Sequence, residues 1–235
     1  MQTAPQKPES RSIARTRDFL KQIVFGGNDG IVTTFAIVAG FAGAQADGTA
    51  QIGGIAVLVF GLANLFADAV SMGLGEFLSL RSRHAMYRTR RSQFEGTRSA
   101  ATVRRFLLAR GVADQNAAQV TEVLESHPDV LADLAMTFEH GMTDPDQESP
   151  WVSGLVTFLA FVAFGSLPLL PYFVGGVGDA ALGWSVATTA SALIALGLLR
   201  WRVTEDPALR AVGETVLVGA ICAGVAYGVG WVVGG

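Results

Sequence analysis

Polar side chains recur at every fourth position in the second apolar stretch of the chain, GLANLFADAVSMGLGEF. They are Asn64, Asp68, Met72 and Glu76. On an α-helix this spacing advances by about 40° and about 6 Å per step, so the side chains follow one face. Carboxylates, an amide and a thioether suit a partly dehydrated divalent ion such as Fe²⁺ better than Mg²⁺, which prefers oxygen ligands alone. The alternative for Met72 is simple packing.

A further carboxylate, Asp29, lies in the glycine-rich segment VFGGNDG near one end of the first apolar stretch. A charge at the centre of a bilayer costs about 2.5–3.5 kcal/mol on insertion scales, so such residues usually face a cavity or an ion path. The alternative for Asp29 is a carboxylate that reaches the interface or caps a neighbouring helix. Asp29, Asp68 and Glu76 are therefore candidate functional residues within the membrane, and Asn64 and Met72 share the helix face of Asp68 and Glu76.

The composition predicts an all-α polytopic membrane protein. Of its 235 residues, 50% are hydrophobic and 16% are charged, and the mean hydropathy of +0.40 is high for a soluble domain. A bilayer core of about 30 Å needs about 20 mostly apolar residues per helix. Five stretches qualify as transmembrane helices, at residues 23–45, 51–78, 151–174, 180–200 and 211–233.

Small residues and prolines predict how these helices pack and where they bend. Gly224 and Gly228 form a G-x-x-x-G spacing in the fifth stretch, and small residues let helices approach closely in lipid. Pro168 and Pro171 predict a bend or an end in the third stretch. Glycines are also dense in the first two stretches, at Gly26, Gly27, Gly30, Gly73 and Gly75.

The basic residues predict which connections lie in the cytoplasm. They cluster before the first stretch, after the second and around the fourth-to-fifth connection, at Arg11, Arg15, Arg17, Lys21, Arg81, Arg83, Arg88, Arg90, Arg91, Arg200, Arg202 and Arg210. By the positive-inside rule the N-terminus is then cytoplasmic and the C-terminus lies outside. The Ala/Gly/Arg-rich composition and the short loops favour a bacterial plasma (inner) membrane.

The chain divides by composition into segments. Residues 81–149 are polar and arginine-rich, in contrast to the apolar stretches on either side. Within them, Gly111 and Gly141 are C-cap signals, Asp114 is a candidate N-cap, and Pro128 precedes a helix. We predict a disordered basic tail at residues 1–20, transmembrane helices at 21–80 and 150–235, and a small helical cytoplasmic domain inserted at 81–149.

No catalytic motif is visible in the sequence. It has no Walker-A loop and no H-E-x-x-H motif, so we expect a protein that is not an enzyme and that holds no tightly bound cofactor. The single cysteine, Cys222, excludes an intrachain disulfide. The insert arginines lack interleaved aromatic residues, which favours fixing topology and contacting membrane lipids over binding nucleic acid.

Three segments of the sequence resemble the vacuolar iron transporter family. They are FGGNDGIVTTFAIVAGFAGA, ADAVSMGLGEFLS and SPWVSGLVTFLAFVAFGSLPLLPY, and the match covers nearly all of residues 20–233 in the family's order and spacing. The resemblance implies five transmembrane helices and a homodimer with its pore between the first helices. It also implies proton-coupled export of Fe²⁺, and often Mn²⁺, from the cytoplasm.

The resemblance also assigns residues to the transport path. The aspartate of the family's first helix matches Asp29, and the methionine of its second helix matches Met72. A family glutamate two turns before that methionine is replaced here by Asn64. We expect Asp68, one turn further along, to supply the missing carboxylate. The predicted intramembrane metal site is then formed by Asp29, Asp68 and Met72 of two subunits, with Asn64 and Glu76 as polar neighbours along the route.

The insert departs further from the family pattern, in which clustered glutamates and a Met-Met-x-x-Glu group bind metal. The segment LAMTFE keeps Met136 and Glu139 but has Ala135 in place of the first methionine. The stretch where the glutamates would lie is arginine-rich and holds one acid, Glu95, and clustered cations repel Fe²⁺. We expect at most a weak cytoplasmic metal site at Met136, Glu139 and His140. The alternative is core packing with a solvated acid.

Two functions from different classes fit the sequence. The first is export of Fe²⁺ and Mn²⁺ from the cytoplasm by a homodimer, in exchange for protons. The second is a metal sensor or scaffold that transports nothing and whose arginine-rich cytoplasmic domain binds a partner. Metal flux into liposomes without any partner separates the two.

Overall fold

The computed structural model describes residues 11–46, 53–92, 97–145, 149–174, 179–204 and 207–234, and these residues contain no β-strand. A short 3₁₀ turn, Leu167–Leu169, lies between the sixth and seventh helices. The helices are α1 (Arg11–Ala44), α2 (Gly54–Arg91), α3 (Thr97–Ala109), α4 (Asp114–Glu125), α5 (Pro128–His140), α6 (Pro150–Gly165), α7 (Leu170–Val174), α8 (Asp179–Thr204) and α9 (Ala208–Gly234).

Five helical segments are long and apolar enough to cross a membrane, so the predicted all-α fold with five transmembrane helices is confirmed. The second segment runs past its predicted end at residue 78, because α2 continues as one helix to Arg91. At about 1.5 Å per residue α2 is about 57 Å long, nearly twice the bilayer core. The segments are Phe19–Ala44, Gly54–Arg91, Pro150–Val174, Ala180–Arg202 and Ala208–Gly234.

The contacts divide the chain into two compact units. The membrane unit consists of the chain up to Phe77 together with the chain from Trp151 onward, and the insert unit is Leu78–Pro150. The predicted limits of the cytoplasmic domain, 81–149, fall inside the insert unit. Its location in the cytoplasm stays a prediction.

The start of α1 corrects the prediction of a disordered tail at residues 1–20. Because α1 begins at Arg11, that prediction is wrong for residues 11–20, and residues 1–10 lie outside the described part of the chain. The segment SIARTRDFLK contains several good helix formers, among them Ala, Arg, Leu and Lys. Extending an existing helix also avoids the unfavourable nucleation step.

Glycines bring the helices of the membrane unit into backbone contact. A Cβ on Gly30 of α1 would lie 2.5 Å from the carbonyl oxygen of Phe161 in α6. A Cβ on Gly73 of α2 would lie 2.9 Å from the carbonyl oxygen of Gly154, also in α6. Both separations are shorter than a carbon–oxygen contact tolerates. Helix α6 therefore packs against α1 and α2 at positions that need a residue without a side chain.

Helices α1 and α9 also pack through small residues, but not through the pair that the sequence suggests. Gly230 of α9 lies against the backbone of Gly40, and Gly234 lies against the next turn of α1. Gly224 and Gly228 have open space where a side chain would be. The contact therefore uses a second G-x-x-x-G spacing, Gly230 and Gly234, further along α9. Gly224 and Gly228 do not mediate helix packing within this chain.

Prolines interrupt the third membrane segment, as the sequence predicts, and α6 ends before Pro168. Pro171 has no N–H and so cannot donate to the carbonyl of Leu167, four residues earlier. Hydroxyl groups of α8 donate to carbonyls of this turn instead. Ser185 bonds the carbonyl of Pro168 at 2.7 Å, and Thr188 bonds that of Leu167 at 3.3 Å. Such replacement bonds matter in lipid, where no water reaches the backbone.

The insert unit has its own small core, built from the last turns of α2 together with α3 and α5. The hydroxyl of Tyr87 donates to Asp133 at 2.8 Å, and Arg91 holds the same carboxylate at 2.8 Å. These bonds anchor the end of α2 to α5. The buried side chains of this core are Tyr87, Ala100, Val103, Leu131, Ala135 and Met136.

Helix boundaries in the insert unit test the capping predictions. Gly141 ends α5 with φ of 63°, a left-handed conformation that favours glycine, so this C-cap is confirmed. Asp114 is the first residue of α4, and the N-cap is Ala113, so the prediction of Asp114 as N-cap is wrong by one position. The carboxylate of Asp114 pairs with Arg104 at 2.9 Å instead of capping the helix N–H groups.

Candidate metal site

The polar ladder lies along one continuous helix, α2, in the membrane unit. The Asn64 amide donates a hydrogen bond of 2.8 Å from Nδ2 to Oδ2 of Asp68. Both side chains are half-buried, whereas the neighbouring Leu65 and Ala69 are fully buried against Phe161 of α6. The ladder therefore follows the border between the packed face and the exposed face of α2.

Asp29 approaches this ladder from α1. Its side chain is half-buried, and its carboxyl lies within electrostatic range of Asp68. Two interacting negative charges repel each other more where water is scarce, and a divalent cation between them would remove the repulsion. The structure thus places Asp29 within electrostatic range of Asp68, and Asn64 in hydrogen-bond contact with Asp68.

Met72 lies one turn beyond Asp68 and is also half-buried. Its side chain packs against the cluster formed by Leu65, Ala69 and Phe161. Met72 is four residues from Asp68, a separation of about 6 Å along the helix axis. Both sequence-based interpretations of Met72, ion ligand and packing residue, are compatible with this position.

Glu76 stands at the far end of the ladder and is half-buried. It is eight residues from Asp68, a separation of about 12 Å along the helix axis. Side chains of one helix tilt in the same direction, so this separation persists between the carboxylates. Metal–oxygen bonds are only about 2–2.6 Å long. Glu76 therefore does not share a coordination sphere with Asp68, and its place along an ion route stays a prediction.

The described residues of one chain do not form a complete metal cage. No group of three or more His, Cys, Asp or Glu side chains in them converges closely enough to hold an ion. An octahedral divalent ion takes about six ligands. An ion bound by the carboxylates of Asp29 and Asp68 would therefore need further ligands, from water or from a second chain.

Asn28 is not one of the site residues predicted from the sequence, but its side-chain oxygen has an unusual environment. Its Oδ1 is buried, and no group among the described residues donates a hydrogen bond to it. Leaving a buried acceptor unpaired costs roughly 1–3 kcal/mol. Asn28 is therefore a candidate group for binding water or an ion next to Asp29. The Asn-Asp pair in GGNDG is the sequence signal that points to it.

The residues of the predicted weak cytoplasmic site all make other contacts. Met136 is 0% exposed in the core of the insert unit. Glu139 accepts a hydrogen bond of 2.8 Å from a hydroxyl of α3 and lies 3.5 Å from Arg105. Arg90 lies 3.1 Å from Nδ1 of His140. The geometry supports core packing beside a paired acid, and metal binding here stays a prediction. Glu95 lies outside the described residues.

The chain is similar to known proteins along most of its length. The family model described as the VIT family matches residues 20–231. Vacuolar iron transporter 1 of Eucalyptus grandis is 31% identical over 217 residues, which cover 90% of this chain and 85% of the relative. Vacuolar iron transporter 1 of Arabidopsis thaliana is 32% identical over 216 residues, covering 89% and 84%. A vacuolar iron transporter of Arthroderma benhamiae is 27% identical over 234 residues, covering 92% and 81%. The chain therefore belongs to the VIT family, as its sequence segments predict.

Proposed function

We propose that this protein transports divalent metal ions, with Fe²⁺ and Mn²⁺ as substrates, across the membrane that its five helices span. The observation that carries the proposal is the electrostatic interaction between Asp29 in α1 and Asp68 in α2 within the membrane unit. Relatives named vacuolar iron transporters support iron as a substrate. The thioether of Met72 adds a softer ligand, which favours Fe²⁺ over Mg²⁺.

The donor set supports an exchange of metal for protons. Carboxylates bind metal when they are deprotonated, so protons that reach Asp29 and Asp68 compete with the ion and release it. Asn64 is not titratable, but its amide orients Asp68 through the hydrogen bond to Oδ2. When the outer side is more acidic, release there drives export from the cytoplasm.

A second subunit completes the proposed site. One chain supplies two carboxylates and a thioether one turn away. An octahedral ion takes about six ligands, so one chain alone does not complete the site. In a dimer with two-fold symmetry, a residue near the axis meets its own copy. We infer a homodimer in which Asp29, Asp68 and Met72 of both subunits line one path.

The distribution of basic residues sets the proposed orientation. The segment before α1, the insert unit and the α8–α9 connection carry the Lys and Arg clusters, so the positive-inside rule places them in the cytoplasm and the C-terminus outside. The composition favours a bacterial plasma membrane. In this orientation the insert unit lies in the cytoplasm, the compartment from which the metal ions are exported.

The alternative, a sensor or scaffold that binds a partner through its arginines, gains no support from the described contacts. Arg91 pairs with Asp129 at 3.0 Å and with Asp133 at 2.8 Å. Arg105 lies 3.5 Å from Glu139. Arginines that pair within the insert unit are partly neutralised, which weakens their attraction for an acidic partner.

The proposal is tested by removing one charge from the site without changing its shape. We expect Asp68→Asn to lower the initial rate of Mn²⁺ uptake into proteoliposomes at least about tenfold, because the amide is a poorer ligand that carries no charge. The control is Glu122→Gln, the same loss of charge at an exposed position of the insert unit, which should transport like the parent. Uptake at the parental rate by well-folded Asp68→Asn protein would overturn the proposal.

A further inference from the structure

A cavity of about 560 Å³ opens between α1, α8 and α9 in the membrane unit. It lies towards the N-terminal part of α1, the C-terminal end of α8 and the N-terminal end of α9, which is the end that carries basic residues. Its apolar wall and its charged rim include Val24, Phe25, Val218, Lys21, Arg200 and Glu214. Asn28, next to Asp29, also lines the cavity, and the other residues named here do not belong to the proposed metal path.

The rim of this cavity carries an excess of positive charge. Glu214 pairs with Arg200 at 2.8 Å and with Arg210 at 2.9 Å, so one carboxylate faces two guanidinium groups. Lys21, which is exposed, adds a third cation. Among the described residues that line the cavity, the two cations Lys21 and Arg200 face the single carboxylate of Glu214, which also pairs with Arg210 outside the lining. The rim therefore attracts an anion.

The wall next to this rim is apolar and open to the surroundings. Phe25 is 64% exposed and Val218 is 47% exposed, although both lie on helices that cross the membrane. A small water-soluble anion would gain no stabilisation from contact with an apolar wall. A phospholipid joins an anionic headgroup to acyl chains, and basic pockets between transmembrane helices on the cytoplasmic side bind lipids of this kind.

We propose that this cavity binds one anionic phospholipid. Lys21 and Arg200 contact the phosphodiester group, and an acyl chain lies along Phe25 and Val218. Glu214 holds the Arg200 guanidinium at the rim, so that its charge is in place before the lipid arrives. The bound lipid fills the gap between α1 and α9 and makes the stability of the membrane unit depend on the lipid headgroup.

Native mass spectrometry of delipidated protein tests this proposal by counting bound lipids during titration with dioleoyl phosphatidylglycerol or dioleoyl phosphatidylcholine. We expect the parent to bind the anionic lipid at least about tenfold more tightly, since each basic residue at an anionic headgroup contributes about fivefold. The double variant Lys21→Gln/Arg200→Gln should lose that preference. Arg202→Gln, an exposed position on the same end of α8 outside the cavity, should keep it.

Two further measurements keep the test decisive. Val218→Trp fills the apolar wall without touching the ion pairs, and it should displace the anionic lipid even if the double variant does not fold. Glycerol phosphate, which has the anion but no chains, should not compete with phosphatidylglycerol. An unchanged headgroup preference in the folded double variant or in Val218→Trp, or full competition by glycerol phosphate, would overturn the assignment to a phospholipid.

Discussion

Side chains of the membrane unit that are proposed to bind metal also have structural contacts. Asp68 accepts a hydrogen bond from Asn64, and Met72 packs against Phe161. Truncating either residue would disturb packing and ion binding together. At the residue scale, only substitutions that preserve shape separate the two roles, and the exchanges of Asp for Asn and of Met for Leu meet that condition.

We expect Met72→Leu to weaken Fe²⁺ binding about tenfold, because it removes the soft ligand. Its thermal midpoint of unfolding should stay close to that of the parent, since volume-conserving exchanges usually cost less than about 1.5 kcal/mol. Anaerobic calorimetric titration measures the affinity, and scanning fluorimetry measures the stability. Met136→Leu, the same exchange in the insert core, is the control. Equal Fe²⁺ affinity in parent and Met72→Leu would assign Met72 to packing alone.

At the scale of elements, close backbone contact takes the place of the hydrophobic driving force, which is absent between helices in lipid. Helix α6 meets α1 and α2 at Gly30 and Gly73, and α9 meets α1 at Gly230. The hydroxyl of Ser185 supports the interrupted third segment by bonding a carbonyl of its turn. Because α6 packs against both α1 and α2, it links the helix that carries Asp29 to the helix that carries Asp68.

Gly230→Ala is expected to destabilise the membrane unit by about 1–3 kcal/mol, because its Cβ would overlap the backbone of Gly40. The loss should appear as a lower thermal midpoint of unfolding in detergent. Gly224→Ala on the same helix is the matched control, since open space surrounds that position. Equal midpoints for the two variants would mean that α1 and α9 do not pack as described.

At the scale of the whole molecule, hydropathy predicts the five crossings because every crossing needs the same length of apolar helix, whatever its neighbours are. It does not predict which face of α9 meets α1. The pairs Gly224/Gly228 and Gly230/Gly234 have the same spacing, and only the rotation of α9 about its axis selects between them.

The candidate metal site, like the fold, is predictable from the sequence only in part. The hydrogen bond between Asn64 and Asp68 follows from helical spacing alone. The approach of Asp29 to Asp68 and the unpaired oxygen of Asn28 depend on how α1 packs against the other helices, which no one-dimensional pattern contains. The ion pair between Arg200 and Glu214 joins α8 to α9, so it also depends on helix packing and cannot be predicted from the sequence pattern alone.

The central claim is that Asp29 and Asp68 carry a metal ion across the membrane in exchange for protons. Its most direct test is uptake of Fe²⁺ and Mn²⁺ into proteoliposomes that contain a metal-quenched dye, with and without a pH gradient, for the parent and Asp29→Asn. We predict flux in the parent that rises with the gradient, and flux at the level of empty liposomes for Asp29→Asn. Flux from Asp29→Asn equal to that of the parent, or no flux from folded parent protein, would contradict the account.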